Sequence, residues 1–219
     1  FDAVEVTLHG VAASRRFDRG VMVDYAISVC DPTLRVLTFH DRSMMLKALA
    51  LSLSEQKDAL YEASYATGAT LKDHMIDVDG GIGTMLVIAS KGRREMPNAH
   101  VYVDGSVEQL SRSGQFVGQH ICTPKLGVAI HINAFNFPVW GMLEKMAPAL
   151  LAGMPVIVKP ATATCQVTEL AFQLIIASGL LPAGAVQLIT GDLGNLLDHL
   201  GGQDVVSFTG SEATGRHLR

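Results

Sequence analysis

Residues 126–159 read LGVAIHINAFNFPVWGMLEKMAPALLAGMPVIVK. The first seven, Leu126 to Ile132, form an apolar run of strand length. Pro138 to Gly153 follow with apolar residues on a helical period and end at a glycine, the usual helix stop. Pro155 to Lys159 (PVIVK) are a second short apolar run. A strand, a helix and a second strand joined by a few residues make a βαβ unit, whose strands lie parallel and are covered on both faces.

The pattern continues downstream. CQVTELAFQLIIASG (165–179) reads as a helix ended by Gly179, and AVQLIT (185–190) as a strand. LGNLLDHLG (193–201) is expected to be a short helix, DVVSFT (204–209) a strand, and SEATGRHLR the opening of another helix. This alternation predicts an α/β fold with a doubly wound parallel sheet. Upstream the rhythm differs. Residues 1–9 alternate as a short strand, and the stretch from Phe17 to about Gly92 is helical. One helix spans Met44 to Leu53, a second runs from near Ser54 to near Gly68, and a third from Leu71 to Met96. Gly80 and Gly81 inside the third weaken it by roughly 1 kcal/mol each, so a break or close packing is expected there. Residues 99–123 read as strand, turn, strand. The chain thus divides into 1–125, a helical region plus hairpin, and 126–219, the βαβ core.

Composition excludes several classes. The chain has 219 residues, 48% hydrophobic and 17% charged, with net charge −4. That favours a sizeable core over disorder. The densest basic spot, Lys91-Gly92-Arg93-Arg94, is followed at once by Glu95, too little for a nucleic-acid surface. The longest apolar run, Met146 to Val158, contains two prolines and is shorter than the roughly 20 residues of a membrane span. No signal peptide is evident, and the first residue is Phe rather than Met. Three cysteines, Cys30, Cys122 and Cys165, have no disulfide or zinc spacing, which points to a reducing, cytoplasmic setting. His120, His131 and His199 lack paired carboxylate spacing and read as packing or surface residues; no metal is expected.

In open parallel sheets ligands bind beyond the carboxyl ends of the strands. After LGVAIHI come Asn133 and then Asn136-Phe137-Pro138. After PVIVK comes Lys159-Pro-Ala-Thr162, after AVQLIT comes Gly191, and after DVVSFT come Gly210 and Ser211. An amide, an ammonium, a glycine turn and a Gly-Ser helix start therefore share one edge. Helix N-termini attract anions, so dinucleotide or phosphate binding is the first expectation, although the G-x-G-x-x-G fingerprint is absent. Taken alone, Asn136 reads more readily as a turn asparagine than as a functional one. Cys165, near a helix N-terminus, has one attribute of a reactive thiol, but it reads as a small buried residue.

Five segments in order, N-F-P, K-M-A-P-A-L-L-A-G, V-I-V-K-P-A-T, S-G-L-L-P-A-G-A-V and V-S-F-T-G-S, resemble the aldehyde dehydrogenase superfamily. The match is dense from Leu126 to Arg219 and looser before it. HINAFNFPVWGMLEK, KPATAT and DVDGGIGT are similar to the branch that oxidises CoA-linked semialdehydes in phenylacetate and benzoyl-CoA catabolism. The resemblance implies that Asn136 donates its side-chain N–H to the oxyanion formed when a cysteine attacks an aldehyde, a preorganised donor worth a few kcal/mol of barrier. Phe135, placed among the cofactor contacts, and Phe137 would keep that amide dry. Pro138 would start the next helix, where its missing N–H costs nothing. Lys159 would bond the adenosine ribose, Gly191 would lie beside the adenine, and Gly210 and Ser211 would meet the pyrophosphate. Many relatives that prefer NAD carry Glu where this chain has Thr162. A carboxylate repels a 2′-phosphate and a threonine does not, so NADP is expected, with NAD as the alternative.

In the resembled family the cysteine nucleophile and glutamate base lie downstream of F-T-G-S. The chain ends at Arg219, so these residues alone are expected not to turn over an aldehyde. The expected parent takes a small-molecule aldehyde, CoA-linked, and forms at least a dimer through the hairpin at 99–123, with neither nucleic acid nor membrane as partner. An acylating enzyme that resolves the thioester with CoA is one alternative. A non-catalytic nucleotide-binding module is another, against which Asn136 argues.

Overall fold

The structure, a computed structural model, describes residues 12–13 and 18–218. The strand expected at 1–9 lies outside the described residues. The sheet has five parallel strands: β1 (Ala12–Ala13), β4 (Ala129–Ile132), β5 (Val156–Lys159), β6 (Val186–Ile189) and β7 (Val205–Phe208), in the order β1-β6-β5-β4-β7. The chain steps from β4 through β5 to β6, then returns to the far side of β4 to lay down β7. This reversal is the topological switch point of a doubly wound sheet.

Alternate residues of each strand enter different cores, as the pleat requires. Ala129, Val156, Val158, Val186 and Leu188 pack with α3 (Phe39–Glu55), α5 (Leu71–Glu95), α6 (Trp140–Leu151) and α7 (Cys165–Ala177). Val128, Ile130, Ile132, Ile157 and Ile189 pack on the opposite face with Met22 and Val23 of α1 (Arg19–Tyr25) and with Leu196. Both faces are apolar, which explains why the strand segments read as continuous apolar runs. β7 is the exception, with Val206 45% exposed.

Ahead of the sheet, α1 leads through a π-type turn (Ala26–Cys30) into α2 (Asp31–Arg35). Capping boxes start α3 at Thr38 with Asp41 and α5 at Thr70 with Asp73, two orphan donors satisfied at each. α4 (Lys57–Tyr65) is tied to α5 where the Tyr61 hydroxyl donates to Asp79 at 2.7 Å. α5 runs unbroken through Gly80 and Gly81; the alternative to a break, close packing, is what occurs. A Cβ on Gly80 would enter the Trp140 ring, and one on Gly81 would lie 2.9 Å from the Trp140 Cα. β2 (Tyr102–Gln109) and β3 (Val117–Cys122) form an antiparallel hairpin exposed on both faces.

The short helix expected at 193–201 is a 3₁₀ helix of four residues, Leu196–His199. Gly191 and Gly194 take φ of +85° and +60°, and the Asp192 carboxylate accepts from the Gly194 N–H at 2.6 Å. These contacts set the turn that leads into Leu196, and the extended backbone of Leu200 ends the helix after His199.

Candidate functional site

The carboxyl edge of the sheet collects the loops singled out above. Ile132 of β4 is level with Lys159 of β5 and with Phe208 of β7. Beyond that level the Asn133 N–H still reaches the Lys159 carbonyl (3.0 Å), and the Thr209 N–H reaches the Ile132 carbonyl (2.9 Å). Asn136, Lys159 and Gly210 thus leave adjacent strands at one height, with β4 and β7 flanking the switch point.

The loop after β4 is fixed at every side. The Phe135 carbonyl accepts from the Thr164 hydroxyl (3.0 Å), and the Pro138 carbonyl accepts from the buried Thr168 hydroxyl (2.9 Å). The Gly141 N–H closes on the Phe137 carbonyl (2.9 Å), so Pro138 occupies the first turn of α6. The two free N–H groups of that turn, on Val139 and Trp140, donate to the Asp77 carboxylate at 3.1 and 2.8 Å. Asp77 comes from the middle of α5 and is 4% exposed. Burial pushes its carboxyl up to about 6, partly offset by those two N–H groups and by His74.

Asn136 stands exposed on this pinned backbone, and no group among the described residues hydrogen-bonds its amide. It borders a cavity of about 240 Å³ lined also by Phe135, Pro138, Asp77, His74 and Thr164. His74 is buried with both ring nitrogens unpartnered, and its ring meets Tyr65 edge-on at 4.5 Å. The dry surroundings expected for Asn136 do not hold within the described residues. Phe135 and Phe137 are 64% and 40% exposed, Phe137 meeting the Trp140 ring edge-on at 5.7 Å.

The remaining edge residues are open. Among the described residues the Lys159 Nζ bonds only the neighbouring Pro160 carbonyl (3.0 Å). Thr162 is exposed at the start of a short 3₁₀ turn. At Gly191 a Cβ would meet empty space, so its glycine is required by backbone conformation alone. At Gly210 a Cβ would meet the tip of the Phe208 ring, which would have to shift to make room. Ser211 caps α8 (Glu212–His217), accepting from the Thr214 N–H at 3.2 Å.

Sequence reasoning missed Asp77, and it placed Asn133 at the strand end without giving it a role. The signal for Asp77 was an acid inside an apolar helical stripe, one turn before two glycines. Asn133 is 5% exposed with neither amide atom bonded. His131, on the same face of β4, is buried beside Lys145; burial first, and then that charge, lowers its imidazole to about 4. Cys30 is buried and its thiol is pushed up to about 12 by burial and by Asp31, whereas Cys122 is exposed and Cys165 is half-buried at the start of α7. Among the described residues no group of His, Cys, Asp or Glu is placed to hold a metal, and no helix is long and apolar enough to cross a membrane.

Comparison with known proteins gives the following relatives. The 3,4-dehydroadipyl-CoA semialdehyde dehydrogenase of Aromatoleum evansii is 38% identical over 99% of the chain and 41% of its own length. The D-glyceraldehyde dehydrogenase (NADP(+)) of Picrophilus torridus is 27% identical over 83% of the chain and 36% of its own length. The chain thus spans about two fifths of the curated relatives it matches. Apo betaine aldehyde dehydrogenase of Staphylococcus aureus superposes with a TM-score of 0.74 at 25% identity, covering 92% of this chain and 39% of that one. Residues 7–219 match the aldehyde dehydrogenase family, to which the chain therefore belongs.

Proposed function

We propose that residues 1–219 are the cofactor-binding portion of an NADP-linked aldehyde dehydrogenase that oxidises a CoA-linked semialdehyde to its acid in aromatic-acid catabolism, of the phenylacetate type. The observation that carries this reading is Asn136: an unbonded amide on a loop held by Asp77, Thr164 and Thr168 beside the switch point. A donor fixed before the reaction stabilises developing negative charge without reorganisation at the moment of reaction. The CoA-linked substrate class rests on the Aromatoleum relative and its printed name.

The edge residues fit a dinucleotide. Thr162 and Ser211 are exposed, the Lys159 ammonium is held among the described residues only by a local carbonyl, and Gly191 leaves open space. Lys159 would hold the adenosine ribose and the 2′-phosphate beside it. Thr162 would leave that phosphate unopposed. Gly191 would border the adenine, Gly210 and Ser211 the pyrophosphate, and Phe135 the nicotinamide side. When bound, NADP supplies the hydride acceptor. In this reading the nucleophile and the general base would be supplied by residues other than these. The hairpin of β2 and β3 presents Val103, Val107, Val117 and Ile121 to the outside, which supports a role in joining subunits of a homo-oligomer. The proposed location is the cytoplasm, a reading that the three free cysteines support.

The test is aldehyde-dependent NADP reduction by the complete enzyme with a CoA-linked semialdehyde. NADP should exceed NAD at least tenfold in kcat/KM. Asn136→Ala should lower kcat by roughly 10²–10³ with NADP affinity within twofold. Equal losses of turnover and affinity would instead indicate a binding module.

A further inference from the structure

Asp77 does more than a helix cap requires. A neutral Asn, Ser or Thr satisfies free N–H groups at a helix start, and an ionised carboxylate at 4% exposure is costly to hold there. What the carboxylate adds is geometry. Its two oxygens lie in one plane and take the N–H groups of Val139 and Trp140 together, which fixes the rotation of the first turn of α6 as well as its position. The platform is rigid, because Gly80 and Gly81 let α5 approach the backbone and ring of Trp140 without an intervening side chain. Thr164 and Thr168 hold the same loop from the α7 side. Asn136 lies three residues before the first N–H that Asp77 holds, between these two sets of contacts.

We propose that Asp77 is a positioning residue for the oxyanion donor: through the N–H groups of Val139 and Trp140 it sets where the Asn136 amide points, and it affects turnover only through Asn136. This rests on the role proposed for Asn136. In this reading Asp77 acts through the backbone N–H groups of Val139 and Trp140 and not by contact with cofactor or reacting atoms.

A double-mutant cycle in the complete enzyme tests it, since a purely structural carboxylate would act alike in both backgrounds. Asp77→Asn keeps the shape and one acceptor but turns an amide N–H₂ toward the second N–H. In the otherwise unaltered enzyme it should lower kcat about tenfold and leave the NADP dissociation constant within twofold. In the Asn136→Ala background it should change kcat by less than twofold. An equal tenfold fall in both backgrounds, or no fall in either, would overturn the proposal while leaving the role of Asn136 intact. If Asn136→Ala itself leaves kcat unchanged, the oxyanion role fails, and the positioning role fails with it. Thermal melting of each variant reports folding. Should Asp77→Asn not fold, Asp77→Ser, a small neutral acceptor, enters the same cycle with the same expected non-additivity.

Discussion

Two buried titratable groups flank the loop that carries Asn136, and their effects on stability run in opposite directions with pH. His131 ordinarily titrates near 6.5 and is lowered to about 4 in the fold by burial and by Lys145. Between those values the unfolded chain binds more protons, so this contribution is whole above 6.5 and is lost as the pH falls toward 4. Asp77 ordinarily titrates near 3.8 and is raised to about 6 by burial. Here the folded chain binds more protons, so its contribution is whole below 3.8 and is lost as the pH rises toward 6. At about 1.4 kcal/mol per pH unit each amounts to roughly 3 kcal/mol at most, and over pH 4–6 they largely cancel. Replacing either group exposes the other. Urea unfolding of the wild type, His131→Gln and Asp77→Asn at pH 4.5 and 6.5 checks this. Relative to wild type, His131→Gln should gain about 2–3 kcal/mol on moving to pH 4.5, and Asp77→Asn should lose about 2 kcal/mol. Shifts of the same sign in both variants, or none in His131→Gln, would refute the burial and proximity argument.

Gly80→Ala should destabilise by about 1–3 kcal/mol, because its methyl group meets the Trp140 ring; thermal melting should show a fall of several degrees. With a disulfide reagent at neutral pH, the exposed Cys122 should react promptly. Cys30, buried with its thiol near 12, should react only on unfolding. Thr162→Glu should weaken NADP at least tenfold and leave NAD unchanged or tighter, since a carboxylate repels the 2′-phosphate; a competition titration reads both. Arg42→Met should cost several kcal/mol, because that buried guanidinium bonds the carbonyls of Leu34, Leu37 and Leu151; denaturant midpoints measure it.

The elements that could be read from sequence are those in which one local rule dominates. β4 and β5 showed as apolar runs because both faces of a parallel sheet are buried. α6 and α7 ended where expected because Gly153 and Gly179 take positive φ and stop a helix. The convergence of Asn136, Lys159, Gly191, Gly210 and Ser211 on one edge followed from topology, since every strand of a parallel sheet ends on the same side. What stayed hidden depends on distant partners. Asp77 becomes a bridge only when α5 lies against α6, 62 residues away along the chain from Val139. The same approach makes Gly80 and Gly81 contacts instead of a break. The stretch 193–201 read as helical from its leucines, but not as a four-residue 3₁₀ helix entered by a turn that the Asp192 side chain and two glycines set. The exposure of Phe135 and Phe137 was equally illegible, because an aromatic residue in a loop carries no record of what covers it.

The central claim is that this sheet edge holds NADP through Lys159. The direct measurement is calorimetric titration of residues 1–219 with NADP and with NAD, repeated with Lys159→Met. NADP should bind at least tenfold more tightly than NAD, and Lys159→Met should weaken NADP at least tenfold, about 1.4 kcal/mol, with the melting temperature unchanged. Tighter binding of NAD, or an NADP affinity indifferent to Lys159→Met, would contradict the account.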